Sequence, residues 1–518
     1  MRCMIVPGRI GRLAVFCLIL FSSVALNARE RGRVRLVGSI QSDILFQDED
    51  DDAATDDGQL LSNTYVDLML YGRHLDAGTL IEYMEHPLPG YESDFKGWGV
   101  PNLWVKGRLG STEVTAGSFY EQFGSGMVLR IYENRSLGID NSLTGGRIVV
   151  RPAKGFTAKL LSGRQRRYWS LNDSWVSGAD LEVSLGPSIT LGGSWVNKYE
   201  KDEFILADER HRFNLPEYVN AWDVRGSWNN GPWSLSVEYA GKSQDPSFDN
   251  GYSYGKGSAA FVSGSFSRSG MSILLQGKRS ENMSFRSKRS MTGISSFINY
   301  MPAFTHDQTY ALAALYPYST QMAGGELAWQ TEIGYNFRRN TVLGGKYGMN
   351  LKVDYSHIGW EEETYYEDLG ILLSRKWSNA LKLNVMYMRQ RYNMTVVQGH
   401  GGMVDSDIYI LDGKIQVFSG FSLRTELQYL NTDDDEGDWK YGLVELSLAP
   451  HWMFSLADMY NAGVTREHYC QGSVSFSKGA HRVQLGYGRT RAGYNCSGGV
   501  CRYVPETKGV TVSYNCSF

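Results

Sequence analysis

Beyond Ala28 the sequence holds no run of about 18 apolar residues, which excludes a membrane-spanning helix. It also lacks an excess of positive charge. Removing Arg2, Arg9 and Arg12, which lie ahead of an apolar stretch at the start of the chain, from 52 basic residues leaves 49 against 55 acidic ones, a net charge of −6. A mildly acidic chain is a poor partner for nucleic acid. Histidine is sparse, nine in all, and His74, His211, His306 and His468 are scattered with no accompanying catalytic motif. His306 adjoins Asp307, but a hydrolytic dyad is defined by geometry rather than adjacency. No enzymatic role is expected, and no cofactor or metal. Proline is scarce as well, 13 in 518 residues.

What the chain has instead is glycine (58), tyrosine (32) and tryptophan (13), and an alternation of apolar and polar residues with a period of two. The alternation is strictest at the C-terminus. Val510, Val512, Tyr514, Cys516 and Phe518 share one face of a strand, and Thr511, Ser513, Asn515 and Ser517 the other. This resembles the C-terminal signal of bacterial outer-membrane β-barrel proteins, whose last, lipid-facing strand ends on Phe and is recognised by the assembly machinery. The resemblance implies that Val510, Val512, Tyr514 and Phe518 act as that signal. A mean hydropathy of −0.32 is compatible with a membrane, because a barrel strand shows lipid only every second residue. At the other end Arg2, Arg9 and Arg12 precede an apolar core from Leu13 to Val24 and then Ala25-Leu26-Asn27-Ala28. That is a secretory signal peptide over 1–28. Its core is too short to span, and Cys17 lies mid-core without a small residue before it, which argues against a lipoprotein anchor.

From Arg33 onward, alternating runs of about ten residues are separated in turn by short turns and longer polar loops, the pattern of a transmembrane barrel. Short turns fall at Leu109-Gly110, 152–155, Gly186-Pro187, Asn229-Asn230-Gly231, 267–270, Ser378-Asn379, Ser419-Gly420, Ala449-Pro450 and Lys478-Gly479. With both termini periplasmic, all of them lie on the periplasmic side. The predicted fold is all-β, a single large antiparallel transmembrane β-barrel over 29–518 with about 24 strands, within about 20 to 26. Strand-like sequence starts so soon after Ala28 that no N-terminal plug domain is expected. Trp228, Trp233, Trp377 and Trp452 beside short turns fit a periplasmic aromatic girdle. A charge facing mid-bilayer lipid costs about 2 to 4 kcal/mol, so the alternation also assigns faces. Glu238, Glu332, Lys352, Asp354, Lys382, Arg424, Glu426 and Arg482 are assigned to the lumen. Mixed in sign, they read either as the lining of a water-filled pore or as a ladder of ion pairs. A barrel this wide is not closed by side chains alone.

Two loops stand out. Segment 280–324 alternates poorly, contains Met301-Pro302 and Tyr316-Pro317-Tyr318, and is too long for an ordinary hairpin. It reads as an extracellular excursion, folded over or into the mouth. The second, about 121–143, begins at Tyr120-Glu121-Gln122-Phe123-Gly124-Ser125-Gly126. It carries Arg130, Glu133, Arg135 and Leu137-Gly138-Ile139-Asp140-Asn141, and re-enters a strand near Arg147. Here the chain resembles an uncharacterised family of outer-membrane β-barrel proteins from Bacteroidota, porin-like barrels of unknown function with a similar stretch of Tyr-Glu, Phe-Gly-Ser-Gly, Arg and Leu-Gly-Ile-Asp-Asn. The resemblance implies fold and location but no ligand. The residues themselves read in two ways. Glu121, Arg130, Glu133, Arg135, Asp140 and Arg147 form a constriction, or they form buried salt bridges that brace the wall.

Cys496 and Cys501 bracket Ser497-Gly498-Gly499-Val500, a spacing that a loop disulfide could close in an oxidising compartment. The acidic tips at 48–57 and 433–436 do not match a calcium loop. Ala53 stands where the sharp-turn glycine belongs and Gln59 where the bidentate Glu belongs, so both read as solvated loops. The whole reads as a protein of the outer membrane of a Gram-negative bacterium. It is either a porin-like channel for small hydrophilic solutes or a non-conducting structural or accessory barrel subunit of an envelope assembly or secretion complex. Its expected partners are outer-membrane lipid and lipopolysaccharide, the barrel-assembly machinery during biogenesis, and other envelope proteins.

Overall fold

The structure is a computed structural model that describes residues 34–48 and 60–518. The signal-peptide segment and most of the first acidic tip lie outside the described residues. Among those described, 24 long strands run from Arg35–Gln47 to Thr507–Ser517, each hydrogen-bonded antiparallel to the one before it. The last strand pairs with the first from Ser39↔Ser517 to Gln47↔Gly509, so the sheet closes into a barrel and leaves no free edge. The two-residue segment Ser170–Leu171 pairs only with the end of its neighbour.

The period of two becomes an inside and an outside. On Tyr218–Asn230, Val219, Ala221 and Asp223 are buried while Tyr218, Trp222, Val224 and Trp228 are exposed. On Trp233–Lys242 the exposed set is Trp233, Leu235, Val237 and Tyr239. Repeated around the barrel, this is an outward apolar belt far larger than a water-exposed monomer carries, and it is the surface of a transmembrane barrel. The nine predicted short turns all join consecutive strands at one end. Two more connections belong to that end, Gly72-Arg73-His74 and 338–348. Both ends of the barrel sheet lie there too, since Arg35 is opposite Tyr71 and Ser517 opposite Ser39. Trp228, Trp233, Trp377 and Trp452 are all exposed beside these turns, with Trp233 and Trp452 each 4.6 Å from a neighbouring Phe ring.

The seam depends on a glycine. Gly38 and Phe518 exchange two backbone hydrogen bonds of 2.8 and 2.9 Å, and a Cβ on Gly38 would stand 2.5 Å from Cζ of Phe518. Val510, Val512, Tyr514 and Cys516 lie opposite Phe46, Ile44, Ser42 and Ile40 on the outward face of this seam. Replacing Gly38 by Val is expected to unseat the terminal ring and lower the yield of folded barrel in refolding. Heat-modifiable gel mobility measures this; a wild-type yield would remove Phe518 from the closure.

The hydrophobic core sits inside the barrel rather than within its wall. Phe123, Met127 and Leu129 of one loop and Phe285 and Ile298 of another pack on Val176, Val196, Val219 and Ala240 of the wall. A second cluster sets Leu312, Leu315, Tyr316 and Tyr318 against Ile358, Tyr366, Met388, Ile408 and Trp439. Both predicted excursions therefore fold inward. Many wall positions in this half are small or apolar because a loop lies on them, and buried ion pairs such as Lys278–Glu326 and Glu82–Arg166 lie among them.

Candidate functional site

The first inward loop spans 120–142. Its Glu121–Phe123 arm pairs with Leu129–Ile131, and the Phe-Gly-Ser-Gly turn between them needs its glycines. Gly124 has φ +52°, and a Cβ there would lie 2.6 Å from Oε1 of Glu238. The turn docks on the wall by the Ser125 N–H donating to Glu238 Oε2 at 3.0 Å. Glu121 accepts from Arg147 Nε at 2.6 Å and Lys159 Nζ at 2.9 Å. Burial pushes its carboxyl up, but Arg147 and Lys159 outweigh this and hold it below the ordinary range. The alternation of charge continues along the wall, from Arg147 to Glu113 at 2.7 Å and from Arg225 to Asp180 at 2.5 Å and Asp223 at 2.9 Å.

Further along the loop, Arg135 pairs with Glu133 at 2.5 Å and with Asp67 of the wall at 3.0 Å, its guanidinium 4.5 Å over the Tyr65 ring. Burial pushes the Glu133 carboxyl up. Asp140 is held by Arg166 at 2.5 Å, and Arg166 also pairs with Glu82 at 2.5 Å. Arg130 meets no carboxylate among the described residues; it stacks between the rings of Tyr300 (3.9 Å) and Tyr132 (4.6 Å). The six residues singled out in this loop thus form no single ring. They divide into a Glu121–Arg147 set, a Glu133–Arg135 set and Asp140 with a wall arginine, and Arg130 stands apart. The wall partners Asp67, Glu82, Lys159 and Arg166 lie many residues away along the chain, and no sequence motif marks them.

The second inward loop, 282–324, begins and ends at one point, where the N–H groups of Met283 and Ser284 both donate to the Met322 carbonyl. Buried ion pairs fix it to the neighbouring 243–256 loop and to the wall and its rim. Arg286 meets Asp249 at 2.6 Å and Arg289 meets Glu200 at 3.0 Å, while Lys278 pairs with Glu326 and also donates to the Pro302 carbonyl. Tyr316 donates to Asp435 and Tyr318 to Glu326, each at 2.8 Å. At its lower face His306 lies 2.8 Å from Lys352 and 3.8 Å from Glu332, which are 2.9 Å apart.

The last long loop acts as a latch over both. Its hairpin, Gly493–Ser497 with Val500–Val504, is crossed by a Cys496–Cys501 disulfide. Gly498 accepts from the Tyr300 hydroxyl at 2.7 Å, Gly499 accepts from the Thr320 N–H at 2.9 Å, and Asn495 donates to Ser136 at 3.0 Å. A loop this small contributes at most about 2 kcal/mol of chain entropy. The Cys496→Ser, Cys501→Ser double variant should therefore lower its global unfolding midpoint less than Arg166→Met does but lose the latch, becoming several-fold more sensitive to trypsin at Arg502. Unchanged digestion would contradict this.

Below the loops the inward wall is polar. Glu332, Lys352, Lys382, Arg424, Glu426 and Arg482 all face the lumen, and Asp354 is buried against Gly370. Arg424 meets Asp412 at 2.9 Å, Glu426, and Glu445 at 3.9 Å. A cavity of about 390 Å³ near the short turns is lined by Lys376, Lys382, Lys414, Gln416 and Ser422. Among the described residues, Asp458, His468 and Cys470 are close enough together to share a metal ion, His468 and Cys470 being 2.8 and 3.0 Å from the Asp458 carboxylate. They lie on the outer face, since Tyr469 between them is buried inside.

A closed barrel with an outward apolar belt and a partly filled lumen defines a large porin-like β-barrel protein. The chain belongs to a family of unknown function, DUF6029, whose model matches residues 10–518. No curated protein matches it. Among solved structures it is similar to the translocation pore of the P pilus usher PapC, at 11% identity over 93% of this chain and 98% of that one, TM-score 0.46. It is also similar to Pseudomonas aeruginosa OccK3 (12% identity, 85% and 99% covered, TM-score 0.39) and Acinetobacter baumannii OccAB2 (8% identity, 94% and 98% covered, TM-score 0.39).

Proposed function

We propose that the protein is an outer-membrane channel for small hydrophilic solutes, with its bore set by two loops folded into its own lumen. The observation that carries this reading is the division of the lumen. The outer half is packed with loops, apolar wall and buried ion pairs, whereas the half near the short turns is lined by charged and polar side chains around an open cavity, as an aqueous path requires. The short turns then face the periplasm. At the opposite rim Tyr355, Tyr387 and Tyr429 point outward and donate to Glu367, Asp407 and Asp438, each at 2.6 Å, which offers lipopolysaccharide headgroups a polar ring.

A second reading is favoured by the buried ion pairs that fix the 282–324 loop. With Lys278 and Arg289 fully buried, the barrel would be closed and would serve as a membrane subunit of an envelope assembly or secretion complex. Proteoliposome swelling separates the two. A channel admits monosaccharides and excludes larger oligosaccharides, whereas folded barrels that admit neither solute belong to the second reading.

A further inference from the structure

Four cations stand side by side on the lumen wall near the short turns. Lys376, Lys382, Lys414 and Arg424 lie on the consecutive strands Glu363–Lys376, Leu381–Asn393, Met403–Phe418 and Phe421–Asn431, each directly opposite the next in register. All four face inward, because each shares its strand face with buried lumen residues: Asp368 with Lys376, Gln390 with Lys382, Ile410 with Lys414, and Gln428 with Arg424. Directly opposite residues in an antiparallel pair have Cβ atoms about 5 Å apart, and like charges there repel.

The neighbouring acids do not relieve this. Asp412, Glu426 and Glu445 converge on Arg424. Among the described residues no carboxylate comes within 4.0 Å of Lys376, Lys382 or Lys414. Lys376 lies 5.6 Å from the Tyr347 ring. The three lysines line the cavity of about 390 Å³, beside the neutral donors Gln416 and Ser422. Arg482 is a further exposed cation on the inward face at this end, opposite Asn515 and Ser477. Cations of one sign inside a low-dielectric wall raise the local concentration of anions.

We propose that this lysine row is an oxyanion site, and that the solutes this pore selects are small carboxylates or phosphates. The proposal rests on the channel reading for its selectivity, but not for its binding. The three lysines are exposed and make no salt bridge, so the Lys376→Gln, Lys382→Gln, Lys414→Gln triple variant keeps the fold.

In planar bilayers under a potassium chloride gradient, the wild-type reversal potential is expected on the anion side and that of the triple variant is shifted toward the cation side. Inorganic phosphate should depress the wild-type chloride current at a concentration about tenfold lower than in the variant. A cation-selective wild type, or a variant with wild-type selectivity, overturns the proposal. Equilibrium dialysis of inorganic phosphate against the detergent-folded barrel tests the site without conduction. Binding that falls several-fold in the triple variant supports the site even in a silent barrel, in which case the channel reading alone fails. Equal binding by the two proteins overturns the site.

Discussion

Excision of residues 286–320, with the cut ends joined by a short Gly-Ser linker, is expected to raise unit conductance about tenfold, because barrels of 16 to 18 strands already leave an aqueous channel and this one is wider. The cut ends already meet in the native chain, where Met283 and Ser284 donate to Met322 at 2.9 and 2.8 Å, so the join imposes no strain. The excised segment supplies Leu312, Leu315, Tyr316 and Tyr318, which cover Met388, Ile408 and Ile358 on the wall. Uncovering those positions wets apolar surface, and the variant should unfold at a lower temperature than wild type. Its folding is checked first by heat-modifiable mobility. A folded variant with wild-type conductance would mean that this loop does not set the bore.

The second large effect is expected at Arg166. Its guanidinium joins Glu82 and Asp140, and the three side chains are 3%, 2% and 8% exposed. Arg166→Met leaves two buried carboxylates without their cation, a change of the kind that costs about 3 to 5 kcal/mol. Replacing all three by apolar residues of similar volume should recover most of that loss, since a buried ion pair and a well-packed apolar substitute are often near equal in stability. The chemical-denaturation midpoint of the refolded barrel measures both. A small effect of Arg166→Met alone would show that water reaches the triad, and that the 120–142 loop is not braced there.

The strands were legible because lipid outside and water or protein inside impose opposite demands on successive residues, as at Trp233–Lys242 and Phe421–Asn431. Most short turns were legible from Gly, Asn and Pro. Gly72-Arg73-His74 and 338–348 were not, because Arg73, Arg338, Arg339 and Lys346 give those connections the polar character of an outer loop. The inward excursions could be recognised as irregular, yet their destination could not. Val219, Ala240 and Met388 face the lumen as apolar residues only because a distant loop covers them. The same limit hid the site. Lys382 and Arg424 were assigned to the lumen from alternation alone, but Lys376 and Lys414 become their neighbours only through cross-strand register. The partnership of Glu82 with Arg166 and of Asp67 with Arg135 likewise spans several strands.

The most direct test of the central claim is the single-channel conductance of the refolded full-length barrel in a planar bilayer. Discrete steps smaller than those of the variant lacking 286–320 are predicted, as a lumen narrowed by its own loops requires. Complete silence from wild-type barrels shown to be folded and inserted would contradict a channel.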